Sequence, residues 1–392
     1  MHKIYVGVVM KKIKNPFVIT GYISEKYFCD REKETEELIR YLTNGQNVAM
    51  ISPRRMGKTG LITHCFHKQA LSREYHTFFI DIYATGNLRE FIFILGKQIF
   101  EQLKPKGRKF IDKFFEIASS LRPAFKLDHI TGQPVFDIGI GEISQPEYSL
   151  EQIFTYLEKA DKPCIVAFDE FQQIAKYPEG NIEALLRTHI QQCKNTNFIF
   201  AGSQRHMMEQ IFFSASKPFY QSVNVVNVQA IALESYVPFV RNHFAAAGKT
   251  ITTENIERVY NLFEGHTWYI QTIFNILFSH TESGEECTFA LIKEAVANAI
   301  VSHETIFKGF LSMLSERQKE LLYAIAKEKK AINVTSAKFI KKHALQSASA
   351  VQTAMKQLID KEIITKEENI YSVYDRLLGL WILQAYGSGY NL

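Results

Sequence analysis

The chain has few of the residues that staple small secreted folds or assemble metal clusters. Its 392 residues include five cysteines, Cys29, Cys65, Cys164, Cys193 and Cys287, scattered, odd in number and set in apolar runs or ordinary helical patterns. No metal-ligand spacing joins them, so neither a disulfide framework nor a cysteine-held metal is expected, and a reducing cytoplasm suits the thiols. The twelve histidines show no H-E-x-x-H spacing, which argues against a zinc protease. No stretch nears the roughly 18 consecutive apolar residues that span a bilayer. The apolar run Ile4–Met10 is short, ends in Lys11-Lys12 and lacks a small-residue cleavage site, so neither a membrane anchor nor a signal peptide is expected. Disorder is excluded as well: 46% hydrophobic and 22% charged residues describe a globular protein with sizeable cores. At this length two or three domains are expected.

What is present begins at residue 48. The stretch Val48–Thr59, VAMISPRRMGKT, is a short apolar run, a tight polar turn and then Gly57-Lys58-Thr59. A buried strand that stops abruptly, followed by a helix starting at the turn, offers backbone N–H groups and a helix dipole to an anion. This is the shape of a phosphate-binding P-loop. Arg55, Met56 and Gly57, with the first helical residues Lys58, Thr59 and Gly60, would cradle the phosphates. Lys58 would reach the β- and γ-phosphates, and the Thr59 hydroxyl would hold Mg²⁺. The full motif opens with glycine, where this chain has Ser52. Leu61, Ile62, Cys65, Phe66 and Ala70 supply the apolar stripe of the helix that the motif requires.

About a hundred residues later, Cys164–Glu170 is another apolar run, ending in two adjacent carboxylates. Strands buried on both faces read as continuous hydrophobic runs, and ligands gather beyond their carboxyl ends. Asp169 is thereby placed for the Mg²⁺ shell, as a Walker B aspartate is, and Glu170 to orient or polarise an attacking water. A third strand, Phe198–Ala201, leads into Gly202 and Ser203. Ser203 at its tip is a candidate sensor of the γ-phosphate. Gly-Ser after a strand is also an ordinary turn, and both readings stand at this stage.

Taken together, these residues resemble the archaeal-type ATPase family, in the STAND branch of the AAA+ P-loop ATPases. The resemblance is carried by Asn15-Pro16-Phe17-Val18, by Phe28-Cys29-Asp30-Arg31-Glu32 with Glu34 and Glu36, and by Pro53-Arg54-Arg55-Met56-Gly57-Lys58-Thr59. It continues through Phe168-Asp169-Glu170, Phe200-Ala201-Gly202-Ser203, and Tyr371–Asp375 leading to Leu380-Trp381. It implies an α/β fold with a parallel-sheet ATPase core, a helical lid and a C-terminal winged helix, with ATP and Mg²⁺ as ligands; local motifs do not separate ATP from GTP. Two departures matter. Gln221 stands after Pro218-Phe219-Tyr220 where the family often has Gly-Arg, and Gly265-His266-Thr267-Trp268 stands where many relatives carry an arginine. Both gaps point to slow or partner-dependent hydrolysis, with Arg187 and Arg205 as candidate substitutes.

The domain expectation follows from texture. Residues 1–233 alternate short apolar runs with helical patterns, the mark of βαβ units. Phe78–Ile82 adds a strand, Val223–Val228 or Ile231–Leu233 a fifth, and a β-hairpin is inserted near 121–141. That hairpin would meet a partner or cover a sheet edge. Residues 234–305 read as a lid of about four helices, in which Trp268 and Tyr269 either pack as core or reach toward nucleotide. Residues 306–392 read as a winged helix, with helices over Leu314–Ala326, Ser336–His343 and Ser347–Asp360 and a wing over 363–374.

This last module holds thirteen Lys and Arg against eight Asp and Glu, a surplus equal to the +5 of the whole chain. Such a patch attracts phosphate, and Ser347, Ser349, Gln352, Thr353 and Lys356 could face bases in a major groove. Glu367 and Glu368 at the wing tip would repel a duplex. Duplex DNA and a protein or intramolecular docking partner both remain candidates. Three functional readings follow: a slowly hydrolysing ATP-dependent conformational switch, a DNA-binding regulator or mobile-element accessory factor modulated by ATP, and a nucleotide-stabilised scaffold without turnover. Monomer and homo-oligomer are equally compatible with the sequence.

Overall fold

In the computed structural model, the residues described are 14–103, 125–127, 134–136, 143 and 145–387. They divide into two compact units, one formed by Thr20–Ile231 and the other by residues 14–19 with 232–387.

The first unit is built on strands β1 (Val48–Ile51), β2 (His76–Asp81), β5 (Cys164–Asp169), β6 (Thr196–Gly202) and β7 (Asn224–Asn227). They form one parallel sheet in the order β2-β5-β6-β1-β7. β7 settles the fifth strand in favour of the Val223–Val228 run. Side chains alternate across a strand with period two, so each apolar run feeds two cores. Ala49, Ile51, Val166, Phe168, Phe198 and Phe200 pack on one face with Phe91, Phe171 and Phe212. Val48, Met50, Ile165, Ala167, Ile199 and Ala201 pack on the other with Leu38, Leu61 and Ile62. The first face is an aromatic layer, with the Phe168 and Phe198 rings stacked at 6.2 Å and Phe171 against Phe200 at 4.5 Å.

Helix α1 (Glu32–Thr43) and helix α2 (Lys58–His67) cover the second face. The helix after the P-loop is shorter than its apolar stripe suggests. Lys68 is extended (ψ 140°), a separate turn Gln69–Ser72 follows, and Ala70 is exposed. Strands β3 (Phe125–Leu127) and β4 (Pro134–Phe136) pair antiparallel, the ladder of the expected hairpin; its turn and flanks lie outside the described residues.

The second unit contains four consecutive helices, Leu233–Ala245, Thr253–Leu262, Thr267–His280 and Phe289–Ser312. Phe17, fully buried, packs its ring against Phe239, Phe244, Phe274 and Phe278. Asn15 Nδ2 donates to the Asn275 carbonyl (2.8 Å), and Asn275 Nδ2 returns a bond to the Phe17 carbonyl (2.7 Å). The Asn-Pro-Phe segment thus belongs structurally with helices more than 200 residues away. Tyr269 is buried and stacked on Phe263, which decides for the core reading at that position.

Helices Glu316–Glu328, Ala337–Lys342 and Ala348–Asp360 follow, with a sheet of β8 (Ala331–Ile332), β10 (Ile370–Val373) and β9 (Ile364–Glu367). This is a winged helix. The expected boundary near residue 305 falls inside the continuous helix Phe289–Ser312. A closing helix, Arg376–Tyr386, is N-capped by Asp375, whose Oδ1 accepts from the N–H groups of Leu377 and Leu378. Among the described residues no helix is long and apolar enough to cross a membrane.

Candidate functional site

The carboxyl ends of β1, β5 and β6 bring three sequence motifs together. After Ile51 the chain turns through residues 52–57, with Arg55 (φ 68°) and Gly57 (φ 94°) in the left-handed region. Ser52 is absent from that class of backbone, so its position imposes no requirement for glycine. The serine instead turns inward: its hydroxyl donates to the Pro53 carbonyl (3.1 Å). Gly57 caps α2, whose first residues are Lys58, Thr59 and Gly60.

Lys58 is buried, and its Nζ donates to the carbonyls of Ser52 (2.7 Å) and Pro53 (3.0 Å). Burial pushes its pKa down to about 8, against the opposing pull of Glu170 and Asp169. The ammonium therefore folds back onto the loop that encircles it, its charge only partly compensated. Thr59 Oγ1 donates to Asp169 Oδ2 at 2.7 Å, across 110 residues of sequence. Asp169 is itself buried, and desolvation raises its pKa while the Thr59 bond opposes the shift.

Glu170 follows in a left-handed backbone (φ 56°, ψ 41°), where the chain leaves β5 for the short 3-10 segment Phe171–Lys176. Its Oε2 accepts from Ser203 Oγ (2.7 Å) and from Gln172 Nε2 (2.5 Å). Arg54 Nε donates to Ser203 Oγ (3.2 Å) and lies 3.9 Å from Glu170 Oε1. Gly202 is the last residue of β6, not a turn residue, and a Cβ there would collide with Met208 and Gln172. Glycine at this point lets Gln172 approach the strand tip and hold Glu170. Five of the expected site residues thus gather in one cluster, Lys58, Thr59 and Asp169 on one side, Glu170 and Ser203 on the other.

Three contributors escape a reading of the motifs. Arg54 lies within P-R-R-x-G-K-T, but nothing in spacing says that it faces the Ser203–Glu170 pair. Gln172 is an ordinary polar residue until the fold brings it to Glu170. Arg31, 4% exposed and left-handed (φ 79°), donates through Nη2 to the Met56 carbonyl (3.0 Å) and through Nη1 to Glu34 (2.7 Å). It buttresses the P-loop from behind, with Met56 anchored in the core between α1 and α2. The charged run before α1 carried this signal without revealing its target. Arg31→Met is expected to lower stability by about 2–3 kcal/mol, through the lost charge-assisted bonds and the carbonyl left without its donor. A urea titration reads this as a lower midpoint.

Of the two arginines suggested as substitutes, Arg205 is 68% exposed and pairs with Glu209 one helical turn away (2.8 Å), and Arg187 lies within the helix Ile182–Gln192, where it meets the Gln191 amide oxygen. Gln221 is left-handed (φ 52°), with its amide bonded to the Tyr220 hydroxyl.

A family profile described as an ATPase domain predominantly from Archaea matches residues 28–273, and a winged helix domain profile matches 305–384. No curated protein sequence matches the chain. Among solved structures, a Walker-type ATPase of Pyrococcus abyssi is similar over 94% of this chain and 99% of its own, at 18% identity and a TM-score of 0.62. The ORC2 protein of Aeropyrum pernix, solved with ADPNP and ADP, covers 95% and 98% at 14% identity and a TM-score of 0.58. The ORC1 protein of the same organism, solved with DNA, covers 91% and 93% at 10% identity and a TM-score of 0.51. At these identities the structural likeness speaks for the fold, and the profile match over more than half the chain speaks for descent: the chain belongs to the ATPase family found predominantly in Archaea and carries a winged helix domain behind its ATPase domain.

Proposed function

We propose that the chain binds ATP with Mg²⁺ and hydrolyses it slowly, using the bound nucleotide as a conformational signal. The observation that carries this reading is the Thr59–Asp169 hydrogen bond, which unites the P-loop helix with the end of β5 beside a buried lysine. Two oxygen donors of this kind fit a hard divalent cation, which takes the rest of its shell from phosphates and water. Thr59 and Asp169 would hold the Mg²⁺, which when bound supplies charge neutralisation on the β- and γ-phosphate oxygens.

Lys58 would exchange the carbonyls of Ser52 and Pro53 for phosphate oxygens, and the N–H groups of Arg55 to Gly60 would hold the anion. Glu170 orients the attacking water and takes its proton. Ser203, bonded to both Glu170 and Arg54, relates that carboxylate to the region of the γ-phosphate. Slow turnover is supported by the absence of an arginine at Gln221 and over Gly265-His266-Thr267-Trp268. Oε2 of Glu170 accepts two hydrogen bonds, which fix the carboxylate and leave Oε1 to engage water. Asp169→Asn is expected to raise the Mg²⁺ concentration for half-maximal ATP hydrolysis by about tenfold or more, through loss of the anionic ligand. A metal titration that superimposes on that of the parent protein would overturn the assignment.

A pH dependence follows from Lys58. In the free protein its pKa lies near 8, and adjacent phosphates favour the charged form, so the pKa rises on binding. At pH 7 and below the lysine is charged before and after binding, and almost no proton moves. Above pH 8 binding must take one up. At pH 9 uptake should approach one proton, with affinity about tenfold weaker than at pH 7. Calorimetry of ADP binding in buffers of different ionisation enthalpy measures this directly.

A second reading, contact with duplex DNA, is favoured by one feature. The helix Ala348–Asp360 exposes Ser349, Gln352, Thr353 and Lys356 together, and Lys338, Lys341 and Lys342 are exposed on the preceding helix Ala337–Lys342, the last of them paired with Glu328. This reading predicts duplex affinity that falls steeply with salt and is weakened by Lys356→Ala; affinity indifferent to both would remove it.

A further inference from the structure

The C-terminal unit contains a cavity of about 380 Å³ that the ATPase reading does not use. It lies among the helices Thr253–Leu262 and Glu316–Glu328, strand β10 and the closing helix Arg376–Tyr386. Leu262 and Leu380 contribute apolar wall, and Arg258, Lys329, Arg376 and Glu264 contribute charge. The volume is in the range of sites for small organic ligands, which combine an apolar lining with a few placed polar groups.

The charges do not balance. Glu264 is the one carboxylate of the lining and is shared between Arg376 Nη2 (2.8 Å) and Lys330 (3.6 Å). Arg258 pairs outward with Glu254 (2.5 Å). Lys329 has no carboxylate partner among the described residues, and the buried Nε–H of Arg376 has no hydrogen-bond acceptor. A buried donor left unsatisfied is costly and rare in folded proteins.

We propose that this cavity binds a small organic anion with an apolar body, an alkyl or aryl phosphate or carboxylate. The anionic group answers Arg376 and Lys329, and the apolar body lies against Leu262 and Leu380. Such a ligand joins the turn at Glu264 to the start of the closing helix, where the Arg376 N–H is already capped by the Tyr269 hydroxyl (3.1 Å). Its occupancy thereby stiffens the junction of the helical and winged-helix parts of this unit. The site is independent of the nucleotide reading.

The test is calorimetric titration of the full chain with hexyl phosphate, with inorganic phosphate and hexanol as controls for charge and apolarity alone. One hexyl phosphate per chain is expected to bind about tenfold or more tighter than either control, since both features contribute. Lys329→Gln, an exposed change, should weaken it several-fold, Arg376→Gln about tenfold or more, and Lys58→Ala not at all. Hexyl phosphate no tighter than inorganic phosphate, or binding unaffected by Lys329→Gln, would overturn the proposal. Binding lost with Lys58→Ala but retained with Lys329→Gln would overturn it too, by assigning the anion to the P-loop.

Discussion

Lys58→Ala is expected to weaken ATP binding by about 100-fold, the loss of charge-assisted bonds to two phosphates in a desolvated site. The size follows from the state of the lysine in the free protein. Its ammonium is buried, held by the Ser52 and Pro53 carbonyls, and depressed in pKa to about 8. A folded-state pKa below the ordinary value near 10.5 means that the charged form costs folding stability at neutral pH. That cost fades as pH rises from about 8 toward 10.5. The substitution removes this cost along with two hydrogen bonds and some packing, and these effects oppose one another. The melting temperature should therefore move by only a few degrees while affinity collapses. Fluorescent-nucleotide titration and a thermal melt on the same sample distinguish the outcomes. Affinity within threefold of the parent protein would remove the phosphate-binding role, and a collapse of both would mean that the lysine is structural.

Glu170→Gln should have the opposite profile, leaving ATP affinity within about threefold but slowing hydrolysis by about 100- to 1,000-fold, the range for loss of a general base. Glutamine is close to isosteric and can still accept from Ser203 and Gln172 at its Oε1, so the network around the strand tips persists. What it cannot do is take a proton. If hydrolysis survived this change, water would be oriented elsewhere, and Arg54 with Ser203 would need a different explanation. Ser203→Ala is the milder companion, since it frees one lone pair of Glu170 and removes the link to Arg54.

How far the sequence disclosed this site can be seen residue by residue. β1, β5 and β6 are buried on both faces and read as unbroken apolar runs, so their ends, and the polar residues just beyond, were legible. Lys58, Thr59, Asp169, Glu170 and Ser203 all came from that rule. Contacts made through tertiary approach were not legible. Arg31 reaches Met56 from 25 positions away. Gln172 meets Glu170 only because Gly202 has no side chain. Ser52 looked like a defect in the motif until the backbone put its left-handed turns at Arg55 and Gly57.

The same division holds for the fold. The amphipathic helices and the wing strands were readable from periodicity. The closing helix Arg376–Tyr386 buries Leu377, Leu378, Leu380, Trp381, Ile382 and Leu383, an apolar surface too broad to give a stripe. Near residue 305, where the winged helix domain profile begins, the helix Phe289–Ser312 runs on without a break. The union of Phe17 with a pocket of four phenylalanines far along the chain could not be inferred from local pattern at all.

The most direct test of the central claim is phosphate release from Mg²⁺-ATP by the purified chain, beside Lys58→Ala and with or without duplex DNA. The account predicts slow release that requires Mg²⁺ and disappears in the variant; acceleration by duplex would bring the winged helix into the reaction. Release that is equal in the two proteins, or absent from both under every condition, would contradict hydrolysis at this P-loop.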